Sequence, residues 1–411
     1  MSTFTQDRLI LRELAQRCAQ IAALDIQKTN EQNWRALYAR TPAKPMFSID
    51  QICWEEFGSE PELTLRCSDP IAREAERSLR EILYRWQHFP CDMVVKPYFS
   101  LPKIISDSGI GVERVIRDES GHENAQSHLY EDTIPDEEAL ERLHAPVISY
   151  EKQASEQAKA RLEEYFGDIL PVRLTGTLLW TALWDRLVFW RGAETVLYDL
   201  IDRPEFLHAL MKKLSAFEMS AIDQYEQQNL LEAQGALCHC LETWCDDLPA
   251  PGYDPAHTRA ADCWVSGAAQ IFSEVSPKMH DEFEIAYMKP IFERFGLVNY
   301  GCCEPLHHKI DIIRKIRNVR AISISPWADP DIDAEAMGRD YVMARKPNPA
   351  FLAFDSMEES AIRAEVRQTL EACKRNQTPV IFMLKDITTV RHEPSRLDRW
   401  HEIVRREIEN A

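Results

Sequence analysis

The chain has 411 residues, 45% of them hydrophobic and 28% charged, the balance of an ordinary globular protein with one large core or two domains. A formal net charge of -19 argues against nucleic acid or anionic membrane as the main partner, because both would be repelled. Eleven cysteines, an odd number on a long helix-rich chain, suit reduced thiols better than a disulfide framework.

The opening Met1-Ser-Thr-Phe-Thr-Gln-Asp7 lacks a basic segment followed by an apolar one. The longest apolar tracts, such as Leu178 to Trp184, fall short of the ~20 residues of a membrane span, so a cytoplasmic protein is expected. Leu11, Leu14, Cys18, Ile21 and Ala22 recur at helical spacing, and residues 1–44 read as an N-terminal helical extension. After the breaker Thr41-Pro-Ala-Lys-Pro45, Met46–Ile52 alternates like a first strand, and Asp69-Pro70 opens a long helix through Arg85. Asp92–Pro97 reads as the second strand. Residues 107–165 are polar, acidic and interrupted by Gly and Pro. They are expected to form a lid-like insertion, helical but solvated from Asp136 to Glu164, with a plain surface elaboration as the alternative. Pro171–Gly176 is the third strand, and the Leu/Trp tract from 178 to 190 reads as core. Asp202-Arg-Pro-Glu205 predicts a helix start capped by Asp202. Arg259–Trp264 is the fourth strand, and Ser276-Pro277 opens a helix that Gly296 stops. Residues 297–303, 319–325, 340–345 and 378–384 are four more strands between helical runs, one of them opened by a capping box from Ser356 to Glu359. Eight strand candidates alternating with helices predict an α/β fold, a (β/α)8 TIM barrel over 45–411 with the insertion between strands two and three. A doubly wound open sheet is the alternative. No dinucleotide fingerprint, P-loop or internal repeat occurs.

In such a fold the chemistry gathers at the carboxyl ends of the strands. Tyr300-Gly-Cys-Cys-Glu-Pro-Leu-His-His308 places two thiols, a carboxylate and two imidazoles at one strand-to-helix junction. The other strand ends add Trp54 and Glu55, Lys96, Asp262 with Trp264, Trp327 with Asp329, Lys346 with Asn348, and Lys385-Asp386. From this set Glu304, Asp386 and Lys385 are the expected catalytic residues: a carboxylate at the end of an apolar strand needs a partner, and a Lys–Asp pair at a barrel mouth can orient substrate or move a proton, with a purely structural ion pair as the alternative. Trp54, Glu55, Trp264, Trp327, Lys346 and Asn348 are the expected substrate-binding residues, the indoles as walls and the lysine for an anionic group. Thiolates with a carboxylate or imidazole suit Zn2+ as a Lewis acid, which makes Cys302 and Cys303 candidate ligands. Adjacent strand residues face opposite ways, so one of the two can instead be buried core. Cys238-His239-Cys240 is a second cluster. It has no matching spaced pair, so structural cysteines are its default reading, with His239 as a ligand candidate.

The run from Tyr300 to Leu306, followed by Ile322-Ser-Ile-Ser-Pro-Trp-Ala-Asp329 and Arg345-Lys-Pro-Asn-Pro349, resembles the uroporphyrinogen decarboxylase-like superfamily, in the branch that includes corrinoid-dependent zinc methyltransferases. Asp262-Cys-Trp264 leading to Ser276-Pro277, and Glu194–Asp199 leading to Asp202–Glu205, add to the likeness. The resemblance implies the barrel and a site at its C-terminal face. Porphyrinogen decarboxylases carry an Arg-rich stretch at the end of strand one. Here that place reads Asp50-Gln-Ile-Cys-Trp-Glu-Glu56, which would repel a polycarboxylate and excludes the founding activity. Methyltransferases of the superfamily often hold zinc by a His-x-Cys and a last-strand Cys. Cys303 matches the first, the His is missing, and Lys385-Asp386 stands at the second. The resemblance also implies an alternative set, Cys263 and Cys303 completed by Asp262, Glu304 or His239. It implies a methyltransferase moving a methyl group between a small O- or N-methylated substrate and a corrinoid. No Asp-x-His-x-x-Gly motif is present, so the cobalamin is expected on a partner protein. The alternatives are a cofactor-independent decarboxylase or lyase of a small carboxylate held by Lys96, Lys346 and Lys385, and a non-catalytic metal or ligand carrier.

Overall fold

The structure, a computed structural model, describes residues 3–41, 43–117 and 128–411. Its centre is a parallel sheet of seven strands: β1 Met46–Ile49, β2 Leu179–Trp180, β3 Trp264–Gly267, β4 Leu297–Tyr300, β5 Val319–Ile324, β6 Val342–Arg345 and β7 Val380–Leu384. The strand order is β1-β7-β6-β5-β4-β3-β2. The first strand pairs with the last, Met46 opposite Ile381 through Ile49 opposite Leu384. A sheet in which every neighbour but one is next in sequence, and whose ends lie early in the chain, curls into a half-barrel of TIM-barrel-like form. The strands read as near-continuous apolar runs because both faces are covered, as in β5, where all six residues are buried.

Period two sorts the side chains. Met46, Leu297, Ala321, Val342, Ala344, Ile381 and Met383 pack together in one cluster. Trp34 and Tyr38 of the helix Asp25–Tyr38 join them, as do Cys238, Cys240 and Leu241 of a short hairpin, so the concave face is filled rather than hollow. Phe47, Val265, Val298, Ile322, Met343 and Phe382 belong to the larger cluster shared with the flanking helices. One polar layer crosses the concave side, where Asn299 donates to Ser266 at 2.9 Å and Ser323 donates to Asn299 at 3.4 Å.

The expected second strand, Asp92–Pro97, forms no ladder. Its backbone is claimed by one face of the helix Asp25–Tyr38. Val95 N–H donates to Gln27 at 2.7 Å, Asn30 donates to Met93 O at 3.0 Å, and Trp34 Nε1 donates to Asp92 O at 2.8 Å. Residues 27, 30 and 34 share that face by helical spacing, and they satisfy the groups a strand would have offered. The third expected strand is real as Val172–Thr175, but it pairs with Phe99–Pro102 outside the main sheet, whose strand in this region is Leu179–Trp180. The fourth lies later than expected, at Trp264–Gly267, with a 3-10 turn over Ala260–Asp262.

Asp69 caps Pro70–His88 as expected, accepting from Ile71 and Ala72 N–H, and Ser276 caps the helix beginning at Pro277. Asp202 instead ends the helix Ala193–Asp202, and Glu359–Asn376 starts from Glu358 without a side-chain cap. In the insertion, Ile105–Asp107 pairs with Ile148–Tyr150, and the helix Lys152–Phe166 buries Leu162, Tyr165 and Phe166 against Leu11, Leu79 and Leu83. That helix is therefore a packed element and not a solvated one. Part of the insertion, residues 118–127, lies outside the described residues. Among the described residues no helix is long and apolar enough to cross a membrane.

Gln27→Leu should cost about 1–3 kcal/mol in a denaturant melt, because it strips the buried Val95 N–H of its acceptor. A loss well under that range would mean the Met93–Val95 segment is not held by this helix.

Candidate functional site

Lys385 and Lys346 follow β7 and β6 directly and continue the inward-facing alternation of Met383 and Ala344. Both are buried, at 3% and 2% exposure. The junction after β4 turns on Gly301, whose φ of +90° is one that side chains rarely adopt, and whose N–H donates to Gly267 O at 2.8 Å. The turn brings Cys302 inward and leaves Cys303 half-exposed.

The sulfur of Cys302 is the hub. Lys385 Nζ donates to it at 3.0 Å, His239 Nε2 lies 2.9 Å away and Cys303 Sγ 3.4 Å away. Lys385 also reaches Asp386 at 3.1 Å and stands 3.5 Å from His239 Nε2. The single Cys303 S–H faces two acceptors, Asp386 at 3.0 Å and Cys302 Sγ at 3.4 Å. Glu304, fully buried, accepts from Cys302 N–H at 2.8 Å through one oxygen, while its other oxygen has no partner among the described residues.

The Cys303 thiol, then His239 and Lys385, hold Cys302 well below the ordinary thiol range against the opposing effect of burial. Cys303 is correspondingly pushed up, by its hydrogen bond to Cys302 first and by burial second. Burial would lower Lys385, but Cys302, Cys303 and Asp386 outweigh it and keep the ammonium charged. Burial, with the Cys302 charge beside it, raises the Glu304 carboxyl to about 8. The arrangement is a thiolate–ammonium pair backed by a neutral acid.

His239 reaches this pair from an unexpected element. Leu237–Cys238 and Leu241–Glu242 form a two-stranded hairpin, and the turn between them is His239-Cys240, with φ of 45° and 72°. Two positive φ values are the requirement of a tight hairpin turn, normally met by Asn-Gly. A non-glycine pair there is strained, and the strain aims an imidazole at Cys302. Trp180, at the end of β2, stacks on the His239 ring with centroids 3.8 Å apart. Asp386 also has a positive φ, 55°, and its N–H is held by Gln51 Oε1 at 3.3 Å. Glu56 clamps the loop that follows by accepting from Val390 N–H at 2.8 Å and His392 N–H at 3.1 Å.

Cys303, Lys385 and Asp386 form one wall of an open cavity of about 340 Å3, whose other walls include Trp327, Lys346 and Asn348. Nine expected residues therefore come together: Glu304, Lys385, Asp386, Trp327, Lys346, Asn348, Cys302, Cys303 and His239. Four do not. Cys263 and Trp264 begin β3 instead of ending it, level with Gly296 and Leu297, so they lie at the opposite end of the sheet from Cys302. Cys263 donates to Arg259 O, and Trp264 packs edge-on against Tyr38 at 4.9 Å. Asp262 is likewise bound to Arg259 at that far end. Trp54 turns away from the sheet in a 3-10 helix and packs on Phe57 and Tyr84, and Glu55 is exposed beside it. Trp180 and Asp185 are additions that the sequence hides in an apolar tract. Asp185 is raised to about 6 by burial and lies close enough to Cys302 to feel its charge.

Among the described residues no group of three or more His, Cys, Asp or Glu is placed to hold a metal ion. The geometry gives the reason. The Lys385 ammonium lies within 3.5 Å of both Cys302 Sγ and His239 Nε2, where a cation shared by those donors would sit, and Cys263 is at the other end of the sheet. As placed, these residues do not fit the zinc ion that the resemblance implies.

No family model and no curated protein matches the sequence. Among solved structures, a methyltransferase from Methanosarcina mazei shares the fold, with a TM-score of 0.51 and 11% identity over 93% of this chain and 98% of that one.

Glu304 binds its proton more tightly folded, at about 8, than at the ordinary 4.5. Between those values the folded state keeps a proton that the unfolded chain has lost, so stability falls as pH rises through the window. Glu304→Gln keeps a neutral acceptor for Cys302 N–H. Its denaturation midpoint should exceed that of the parent at about pH 8 and converge with it toward about pH 4.5. Parallel pH profiles for the two proteins would contradict a buried neutral carboxyl.

Proposed function

We propose that this protein is a methyltransferase of the uroporphyrinogen decarboxylase-like superfamily. In this reading it moves a methyl group between a small O- or N-methylated molecule and a corrinoid carried by a partner protein. The observation that carries the reading is the Cys302 sulfur held between Lys385 and His239 beside an open cavity. A fold shared with a methyltransferase supports it. The finer expectations of a closed eight-stranded barrel and of residues 107–165 as a lid belong to the same proposal.

Moving a methyl group from oxygen or nitrogen requires a proton or positive charge at the leaving heteroatom, and a site that holds the methyl in line. Asp386 lies on the cavity wall, hydrogen-bonded to the Cys303 thiol, and is the group placed to exchange that proton. Lys385 supplies positive charge beside it and fixes Cys302, buried behind that wall, as a soft, polarisable anion. Glu304 stays neutral behind Cys302, so the thiolate is not driven out by a second anion. The corrinoid supplies the methyl-accepting or methyl-donating metal when its carrier docks. No step is assigned to zinc, because the donor set does not fit it.

A second reading, decarboxylation of a small carboxylate without cofactor, is favoured by one observation. Lys346 lines the cavity as a buried amine without a hydrogen-bond partner among the described residues.

Mixing the purified protein with cob(I)alamin and a panel of methylated phenols, amines and thioethers should yield methylcobalamin for at least one donor. Cys302→Ser and Lys385→Met should each slow that transfer by about 100-fold or more. No methylcobalamin across the panel would contradict the proposal, and release of CO2 without methyl transfer would favour the second reading.

A further inference from the structure

Among the described residues, Lys346 has no countercharge within hydrogen-bond contact at the site. Its neighbour Lys385 is matched by Cys302 and Asp386 at 3.0 and 3.1 Å. Lys346 is 2% exposed and its Nζ has no hydrogen-bond partner among those residues. Burial, with the Lys385 charge beside it, lowers the Lys346 pKa, so the free site holds this proton weakly and an anion entering the cavity would restore it. Alternation from Val342 and Ala344 sends the side chain inward, and the residue lines the cavity that Cys303 and Asp386 also line.

Apart from Lys385, Asn348 and Thr388, the rest of that cavity is apolar. Pro347 and Pro349 form a stiff wall, and Trp327 stands at the rim with 72% of its surface uncovered. An indole so exposed is unusual unless a flat or apolar body covers it. The loop bearing it is not loose. Arg345, facing outward from the end of β6, donates to Ser325 O at 2.6 Å and Ala328 O at 3.3 Å on either side of Trp327, and is itself paired with Glu365 at 3.2 Å. An indole held in place, a proline wall and one unmatched lysine together describe a ligand with an anionic end and a flat apolar body. The cavity, about 340 Å3, is of the size that takes a small molecule.

We propose that Lys346 binds the carboxylate of a small, flat, apolar substrate whose body lies on Trp327. This specifies the substrate class of the site assigned above and rests on that assignment. Bound this way, the carboxylate pairs with Lys346 and the body extends toward Cys303 and Asp386, where the reacting heteroatom would be presented.

The test is equilibrium binding to the full chain, followed by tryptophan fluorescence or calorimetry, with benzoate, its neutral isostere benzamide, and acetate as probes. Benzoate should bind about tenfold or more tightly than benzamide, because only the anion pairs with Lys346. It should bind about tenfold or more tightly than acetate, because only the ring covers Trp327. Lys346→Met should lose the preference for benzoate over benzamide, and Trp327→Ala the preference over acetate. Lys346→Met should also raise the denaturation midpoint of the free protein at neutral pH, by a margin that shrinks as pH rises toward the ordinary lysine value of 10.5, since it removes a buried amine whose protonation burial opposes; a purely structural lysine would lower it. Equal binding of benzoate and benzamide to the parent protein overturns the proposal without any variant. So does the absence of benzoate binding, or benzoate binding unchanged in a folded Lys346→Met protein. Binding and turnover separate the two claims. Methyl transfer from neutral donors without benzoate binding overturns the anion subsite alone. Lys346-dependent benzoate binding without methyl transfer from any donor overturns the transferase reading alone.

Discussion

A thiolate and an ammonium 3.0 Å apart, Cys302 on Lys385, set the terms for the rest of this structure. The two residues follow β4 and β7, which are separated by β5 and β6 in the sheet. In a flat sheet three strand spacings of about 4.8 Å would part them by about 14 Å. Contact between them requires the curl of the sheet, an open array in which β1 adds one more strand beyond β7. The charge pair is thus the local consequence of a topological fact. It is stable in a largely dry site because each charge has more than one partner: His239 and Cys303 on the sulfur, Asp386 on the ammonium.

Part of the chain's backbone strain lies around the same contact. His239, Cys240, Asp386 and Gln51 all have positive φ without being glycine. Each such residue costs on the order of 1–3 kcal/mol and persists only where its surroundings over-determine it. Trp180 stacks on His239, Gln51 holds Asp386, and Glu56 clamps the loop beyond. Strain gathered from three separate chain segments around one sulfur points to a site that is preorganised, not a by-product of packing.

Much of this was legible in the sequence, and the misses share a physical cause. The centre at Tyr300–His308 was readable because thiols and a carboxylate directly after an apolar strand have few bland explanations. Lys346 and Lys385 were readable because a lysine ending such a run must point into the top layer or break it. Cys263 and Trp264 were misplaced because β3 begins at Trp264 and not at Arg259. A boundary shift of a few residues moves a side chain from one end of the sheet to the other. His239 reached the site through a tight turn built from His-Cys, where the usual Asn-Gly signal is absent. Trp180 and Asp185 were hidden in a tract whose hydrophobicity masks both a two-residue strand and an acid at the start of a helix. The second strand failed because pattern alone cannot tell that Gln27, Asn30 and Trp34, some 60 residues away, take up its backbone groups.

The most direct measurement is the far-ultraviolet absorbance of thiolate in the parent protein against Cys302→Ser, followed across pH. Burial pushes the thiols of Cys18, Cys53, Cys67, Cys238, Cys240 and Cys373 upward, so they contribute nothing near neutrality. The account predicts a constant difference of one thiolate already present at about pH 6. A difference that appears only near the ordinary thiol value of about 8.5 would contradict it.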